Sequence, residues 1–185
     1  MAQKEIRPSQ HLHALTVGDR AHRIAARALH AGVPDSRSQR VLELSRHARS
    51  VFDERPVEYR SREALVTATT AAGVYLHRFR PLLPWRLLGS EMPIEGCRFD
   101  LVHELAGDLV LVDELKLGVG RANEAAVRKQ IDRYVELGSA EWGSRFVGVR
   151  LCAIHEPTQS RLYAPDRQRS VLLTDSDLDA GVMVR

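Results

Sequence analysis

The chain has 185 residues, of which 44% are hydrophobic and 28% are charged, and this composition is typical of one ordinary globular domain. Its net charge of +3 is compatible with a polyanionic partner but does not require one. No apolar run approaches the roughly 20 residues that cross a bilayer, and the N-terminus lacks the apolar segment of a signal peptide. We therefore expect a cytoplasmic protein without a membrane partner.

The two cysteines, Cys97 and Cys152, are isolated in the sequence. An iron–sulfur cluster or an all-cysteine zinc site needs four thiolates, so we expect no iron–sulfur cluster. Among the 27 cationic side chains only Lys4, Lys116 and Lys129 are lysines. Lys116 lies in an apolar strand, where a compact ammonium approaches a single oxygen more closely than a broad guanidinium does.

The chain reads as a polar N-terminal arm (residues 1–15) followed by one domain (residues 16–185). Apolar residues spaced three and four apart predict three helices, from Thr16 to about Gly32, from Ser36 to Phe52 and from Ser61 to Phe79. The second helix is expected to bury Val41, Leu44, Ala48, Val51 and Phe52.

The second half of the sequence reads mainly as strands. Strands are predicted at Trp85–Ile94, with a bend at Gly89, and then at Phe99–Leu105, Leu109–Leu117, Phe146–Ile154, Arg161–Tyr163 and Ser170–Leu173. One helix, from about Asn123 to Gly138, separates the third strand from the fourth. This order of elements predicts an α/β fold with a mixed central β-sheet flanked by helices.

The central hairpin carries charges within the most apolar run of the sequence. If Ala106-Gly107-Asp108 forms its whole connection, Asp100 lies opposite Glu114 and shares a face with it and with Lys116. A two-residue turn would send one carboxylate to the other face. Opposed carboxylates call for a divalent metal, an ion pair or both. Strand alternation places Asp113 on the opposite face from Glu114.

Four short motifs in this order resemble the PD-(D/E)XK nuclease superfamily, in its RecB-like branch, over residues 16 to 155. They are Gly18-x-x-x-His22, Gly96-x-x-x-Asp100, Glu114-Leu115-Lys116 and Gln130-x-x-x-Tyr134. The literal Pro-Asp of the family name is absent, because Phe99 precedes Asp100. The resemblance implies a restriction-endonuclease-like core.

The resemblance also implies a role for each motif residue. Metal ligands would be His22, Asp100, Glu114 and the backbone carbonyl of Leu115, and the catalytic set would be Lys116, Asp100, Glu114, Gln130 and Tyr134. Hard oxygen ligands favour Mg²⁺ or Mn²⁺, and the imidazole shifts the preference toward Mn²⁺. Glu91 matches a glutamate of some RecB-like relatives, but a surface carboxylate is the simpler interpretation.

The implied function is metal-dependent hydrolysis of DNA phosphodiester bonds, giving a 5′-phosphate and a 3′-hydroxyl, in DNA processing, repair or defence. RNA stays open as a substrate, as do a protein partner and a homo-oligomer. One alternative is a non-catalytic nucleic-acid-binding or assembly subunit that retains the fold. Another is a structural Glu114–Lys116 ion pair in an unrelated α/β domain, although buried pairs rarely add stability.

Overall fold

A computed structural model describes residues 8–34, 36–54, 61–80, 85–118, 124–166 and 170–172. Its helices are α1 (Pro8–Ala31), α2 (Arg37–Asp53), α3 (Arg62–Arg78) and α4 (Glu124–Trp142). Its strands are β1 (Trp85–Ile94), β2 (Cys97–Leu105), β3 (Val110–Lys116), β4 (Phe146–Ala153), β5 (Arg161–Tyr163) and β6 (Ser170–Leu172). The predicted fold class, α/β with a mixed sheet and helices, is confirmed.

The chain divides into two compact units, Met1–Gly73 and Val74–Arg185, and the division falls within α3. The single domain expected for residues 16–185 stays a prediction. None of the helices in the described ranges combines the length and the apolarity needed to cross a membrane.

The first unit differs from the sequence prediction at two places. Helix α1 begins at Pro8 rather than at Thr16, so residues 8–15 of the predicted arm are helical, and residues 1–7 lie outside the described residues. Proline suits this position because the first turn of a helix leaves its N–H groups unbonded in any case. Val41 is 60% exposed and Leu44 is only partly buried, whereas both were expected to be buried. Helix α2 buries its apolar residues toward its C-terminal end, at Ala48, Val51 and Phe52.

Within the first unit, charged side chains join α1 to the C-terminal end of α2. The guanidinium of Arg20 lies over the ring of Phe52, 3.9 Å from its centroid. Arg23 and Arg27 both donate hydrogen bonds to Glu54, which follows α2. The Arg27 hydrogen bond is the main reason that the pKa of Glu54 lies below its usual value.

The second unit is built on one sheet with the strand order β1-β2-β3-β4-β5-β6. All neighbouring strands are antiparallel except β3 and β4, which are parallel and are connected through α4. A register shift between Leu87 and Gly89 puts the predicted bend in β1. One face of α4 packs on the sheet, with Ile131, Tyr134, Val135 and Leu137 in a core that includes Val112, Val149 and Leu151.

The hairpin has the predicted register. Paired residues run from Leu101 opposite Asp113 to Glu104 opposite Val110. The connection is a short 3₁₀ turn at Ala106–Asp108, in which Gly107 has a φ of 74°. That left-handed conformation suits glycine, which has no Cβ. The three-residue connection is therefore confirmed.

Candidate functional site

The candidate site begins where β2 and β3 part. Their last paired residues in this direction are Leu101 and Asp113, whereas β3 goes on pairing with β4 as far as Lys116 opposite Ala153. Just beyond that point, the carboxylate of Asp100 accepts a hydrogen bond of 2.9 Å from the backbone N–H of Leu115. Asp100, which is 9% exposed, thus provides the acceptor that a backbone carbonyl of a neighbouring strand would otherwise provide for this N–H.

Glu114 and Lys116, both on β3, form an ion pair beside Leu115. The Lys116 Nζ atom lies 2.5 Å from Oε1 of Glu114, in an ion pair whose lysine side chain is 28% exposed and whose carboxylate is 1% exposed. The amide of Gln130 donates a second hydrogen bond of 3.0 Å to the same oxygen. One carboxylate oxygen therefore receives a donor from its own strand and another from α4.

Gln130 and Tyr134 continue this chain of hydrogen bonds to β2. Gln130 Nε2 donates to the Tyr134 hydroxyl at 2.9 Å, and that hydroxyl donates to the backbone carbonyl of Arg98 at 2.5 Å. Burial, and then the negative charge of Glu114, raises the pKa of Tyr134 above the usual value for a phenol. The hydroxyl is therefore a proton donor at neutral pH, and α4 links the strand of Glu114 to the strand of Asp100.

The predicted shared face of Asp100 and Glu114 does not follow from simple alternation. Phe99 packs on Tyr134 with ring centroids 4.6 Å apart, and Glu114 reaches Gln130 of the same helix. Regular alternation would place those two side chains on opposite faces, so the pleat is irregular past the last β2–β3 pair. The shared face stays a prediction, although the predicted register is confirmed.

The structure shows where two predicted metal ligands, His22 and Leu115, lie in the fold, but it does not test whether they bind a metal. His22 lies on α1, in the first unit, and is half-buried. Leu115 lies between Glu114 and Lys116, and its N–H is used by Asp100. Metal coordination by the His22 imidazole and by the Leu115 carbonyl stays a prediction.

Glu91 differs from a freely solvated carboxylate, because its side chain is partly buried, is ion-paired and lies close to Asp100. Its side chain is 23% exposed and forms an ion pair of 2.6 Å with Nε of Arg98. One of its oxygens lies within 4.8 Å of an Asp100 oxygen. Its backbone φ of 51° is uncommon for a residue with a Cβ, and strain of this kind gathers at functional sites. Glu91 is thus a second carboxylate beside Asp100.

The opposite side of β3 carries a second cluster of polar side chains, here called the Asp113 network: Asp113, Arg150, Tyr75 and His103. Arg150 Nε and Nη2 lie 2.7 Å and 2.5 Å from the two Asp113 oxygens, and the Tyr75 hydroxyl donates to Oδ2 at 2.7 Å. His103 Nε2 lies 2.9 Å from the Tyr75 hydroxyl. All four side chains are buried.

The predicted orientation of Asp113, away from Glu114, is confirmed by these contacts. Burial alone would raise the pKa of Asp113, but the charge of Arg150 and the hydrogen bond from His103 outweigh burial and hold it well below its usual range. The network itself was missed by the sequence analysis. Its signal was an arginine within the apolar strand FVGVRLCAI, which needs a buried anion.

No family model, no curated protein and no solved structure matches this chain. The resemblance to PD-(D/E)XK nucleases therefore rests on the four sequence motifs alone.

Proposed function

We propose that this protein is a metal-dependent nuclease that hydrolyses DNA phosphodiester bonds. The observation that carries the proposal is that the Glu114 carboxylate contacts both Lys116 and Gln130, while Asp100 accepts a hydrogen bond from the backbone N–H of the intervening Leu115. These residues also occur in the order of the motifs of that nuclease superfamily. The buried Glu114 carboxylate is hard to explain as a stability device alone.

The donor set fits Mg²⁺ or Mn²⁺. Asp100 and Glu114 would supply carboxylate oxygens and Leu115 would supply a backbone carbonyl, and hard oxygen donors are what these ions prefer. His22 is proposed as a further ligand on the resemblance alone. When bound, such an ion polarises the phosphate and lowers the pKa of a water molecule.

The remaining steps fall to groups of the chain itself. The ammonium of Lys116 would hold the attacking water and oppose the negative charge that develops on the phosphate. Gln130 would fix the Glu114 carboxylate through the hydrogen bond to Oε1, with its own amide held by Tyr134. The products would be a 5′-phosphate and a 3′-hydroxyl. RNA, which presents the same phosphodiester, is the alternative substrate.

The test is cleavage of linear and circular DNA by the purified protein with Mg²⁺, with Mn²⁺ and with a chelator. Lys116→Ala and Asp100→Ala are compared with Lys129→Ala, which changes an exposed lysine on α4 and serves as the matched control. We expect metal-dependent cleavage that the first two substitutions abolish and the control retains. Cleavage that survives both site substitutions would reject this site.

The same samples separate catalysis from binding. Salt-dependent DNA binding without cleavage under any metal condition would favour a non-catalytic nucleic-acid-binding or assembly subunit. In that case calorimetry should show no Mn²⁺ heat that depends on Glu114.

A further inference from the structure

The Asp113 network holds three strands and the end of a helix at one point. Arg150 comes from β4 and His103 from β2, and Tyr75 lies near the C-terminal end of α3. The Nη2 atom of Arg150 also donates to the backbone carbonyl of Phe79, just beyond that helix. Asp113, on β3, therefore contacts side chains from β2, β4 and α3.

The hydrogen bonds of the network have a fixed direction. Tyr75 has a single hydroxyl proton, which it gives to Oδ2 of Asp113. The imidazole must then donate its Nε2 proton, and Nε2 lies 2.9 Å from the Tyr75 oxygen and 3.3 Å from Oδ2 of Asp113, so the two oxygens share this donor. Each side chain thus orients the next one, and Asp113 has little freedom to rotate.

Stability alone is a poor explanation for this arrangement. A buried ion pair stabilises a fold weakly, and well-packed apolar replacements of similar volume are often neutral. The position of the pair is more informative. Asp113 belongs to the last β2–β3 pair before the strands part, and the next residue is Glu114. From there to Lys116, β3 has paired neighbours only in β4, among the residues that the structure describes.

We propose that the Asp113 network positions Glu114 and Lys116 by fixing the point at which β3 leaves β2. Asp113 and Arg150 are positioning residues, because they act through the backbone of β3 and touch neither Glu114 nor Lys116 in their hydrogen bonds. The consequence for catalysis rests on the proposed nuclease function. The consequence for the Glu114–Lys116 geometry is independent of it.

The experiment replaces the ion pair by apolar side chains in the full chain, as Asp113→Leu combined with Arg150→Met. We expect a cooperative unfolding transition within about 5 °C of the unsubstituted protein. We expect kcat for DNA cleavage to fall by about 10²-fold at nearly unchanged KM, because a small misplacement of reacting groups is costly whereas substrate contacts remain.

A spectroscopic readout tests the geometry without activity. The chain has three lysines, so ¹³C-methylation of their amines gives few resonances to assign. The Lys116 signal should shift in the double variant, because its ion pair with Glu114 is altered, while the signal of exposed Lys129 should stay in place. Tyr75→Phe, which removes one hydroxyl, serves as the milder variant if the double variant does not fold.

The outcomes separate the two proposals. Absence of cleavage by the unsubstituted protein would overturn the nuclease function, and a shifted Lys116 resonance would still support the positioning role. Full kcat together with an unmoved Lys116 resonance, in a folded double variant or in Tyr75→Phe, would overturn the positioning role and leave the nuclease proposal standing.

Discussion

Adjacent carboxylates on β3 have opposite surroundings. Glu114 shares one oxygen with a lysine that is partly exposed and with an amide, whereas Asp113 is bonded only to side chains that are themselves buried. A lysine with access to solvent can exchange its carboxylate partner for a phosphate or a water molecule. A buried guanidinium bound at two points cannot do so without breaking the fold. Under the two proposals above, these neighbouring acids have different tasks, Glu114 in chemistry and Asp113 in placement.

The most direct test of this contrast is to replace each acid, Glu114 and Asp113, by the amide of the same shape. Glu114→Gln should lower cleavage by on the order of 10²- to 10³-fold, because a neutral amide cannot balance Lys116 or serve as an anionic ligand. Initial rates with linear DNA and saturating Mn²⁺ measure this effect. Cleavage within about threefold of the unsubstituted rate would remove Glu114 from the catalytic set.

Asp113→Asn should cost far more stability than Glu114→Gln does. The substitution leaves the Arg150 guanidinium buried without its anion, and breaking a buried pair in this way costs about 3–5 kcal/mol. Urea denaturation followed by circular dichroism gives the free energy of unfolding. Glu114→Gln provides the reference, and an equal loss of stability in both variants would contradict the division of tasks.

The two sides of β3 can also be compared through pH, because each side has one tyrosine whose pKa is raised. Burial raises the pKa of Tyr75 well above 10.0, and it also raises the pKa of Tyr134. Because the folded state favours the protonated phenol, the stability that each contributes is present below pH 10 and is lost as the pH rises toward the folded values.

Phenolate absorbance during an alkaline titration measures this directly. Neither Tyr75→Phe nor Tyr134→Phe should change the absorbance rise near pH 10, and each should reduce the rise that accompanies alkaline unfolding. A variant that loses absorbance near pH 10 would show that its tyrosine ionises as an exposed phenol does.

Local sequence was sufficient for the hairpin and insufficient for the Asp113 network. The strand pairing depends on the length of one short connection, so the register at Leu101 and Asp113 could be predicted from neighbouring residues. The partners of Asp113 come from positions 37 and 38 residues away, Arg150 and Tyr75. The hydrophobic periodicity of the sequence cannot predict such a contact, because the contact depends on which elements the fold brings together.

Periodicity also failed where packing overrides it. Val41 fits the apolar stripe of α2 but lies at the end of the helix that stays exposed. The start of α1 was missed because residues 8–15 show no apolar repeat, although their backbone is helical. For the site, the motifs singled out Glu114, Lys116 and Gln130, and the structure shows that these side chains are in contact. The irregular pleat beside Asp100 could not be anticipated from alternation.

The smallest expected effect concerns the turn that assigns Asp113 and Glu114 to their sides of β3. Gly107 has a φ of 74° and no neighbouring atom that an added Cβ would meet, so Gly107→Ala tests backbone strain alone. We expect a loss of about 1 kcal/mol in the free energy of unfolding, with cleavage unchanged, because the strain does not alter the connection length. Gly118→Ala is the matched control, since Gly118 also lies in open space and has no positive φ. A loss of cleavage in the folded Gly107 variant would show that the turn conformation, and not only its length, determines how Asp100 on β2 lies relative to Glu114 and Lys116 on β3.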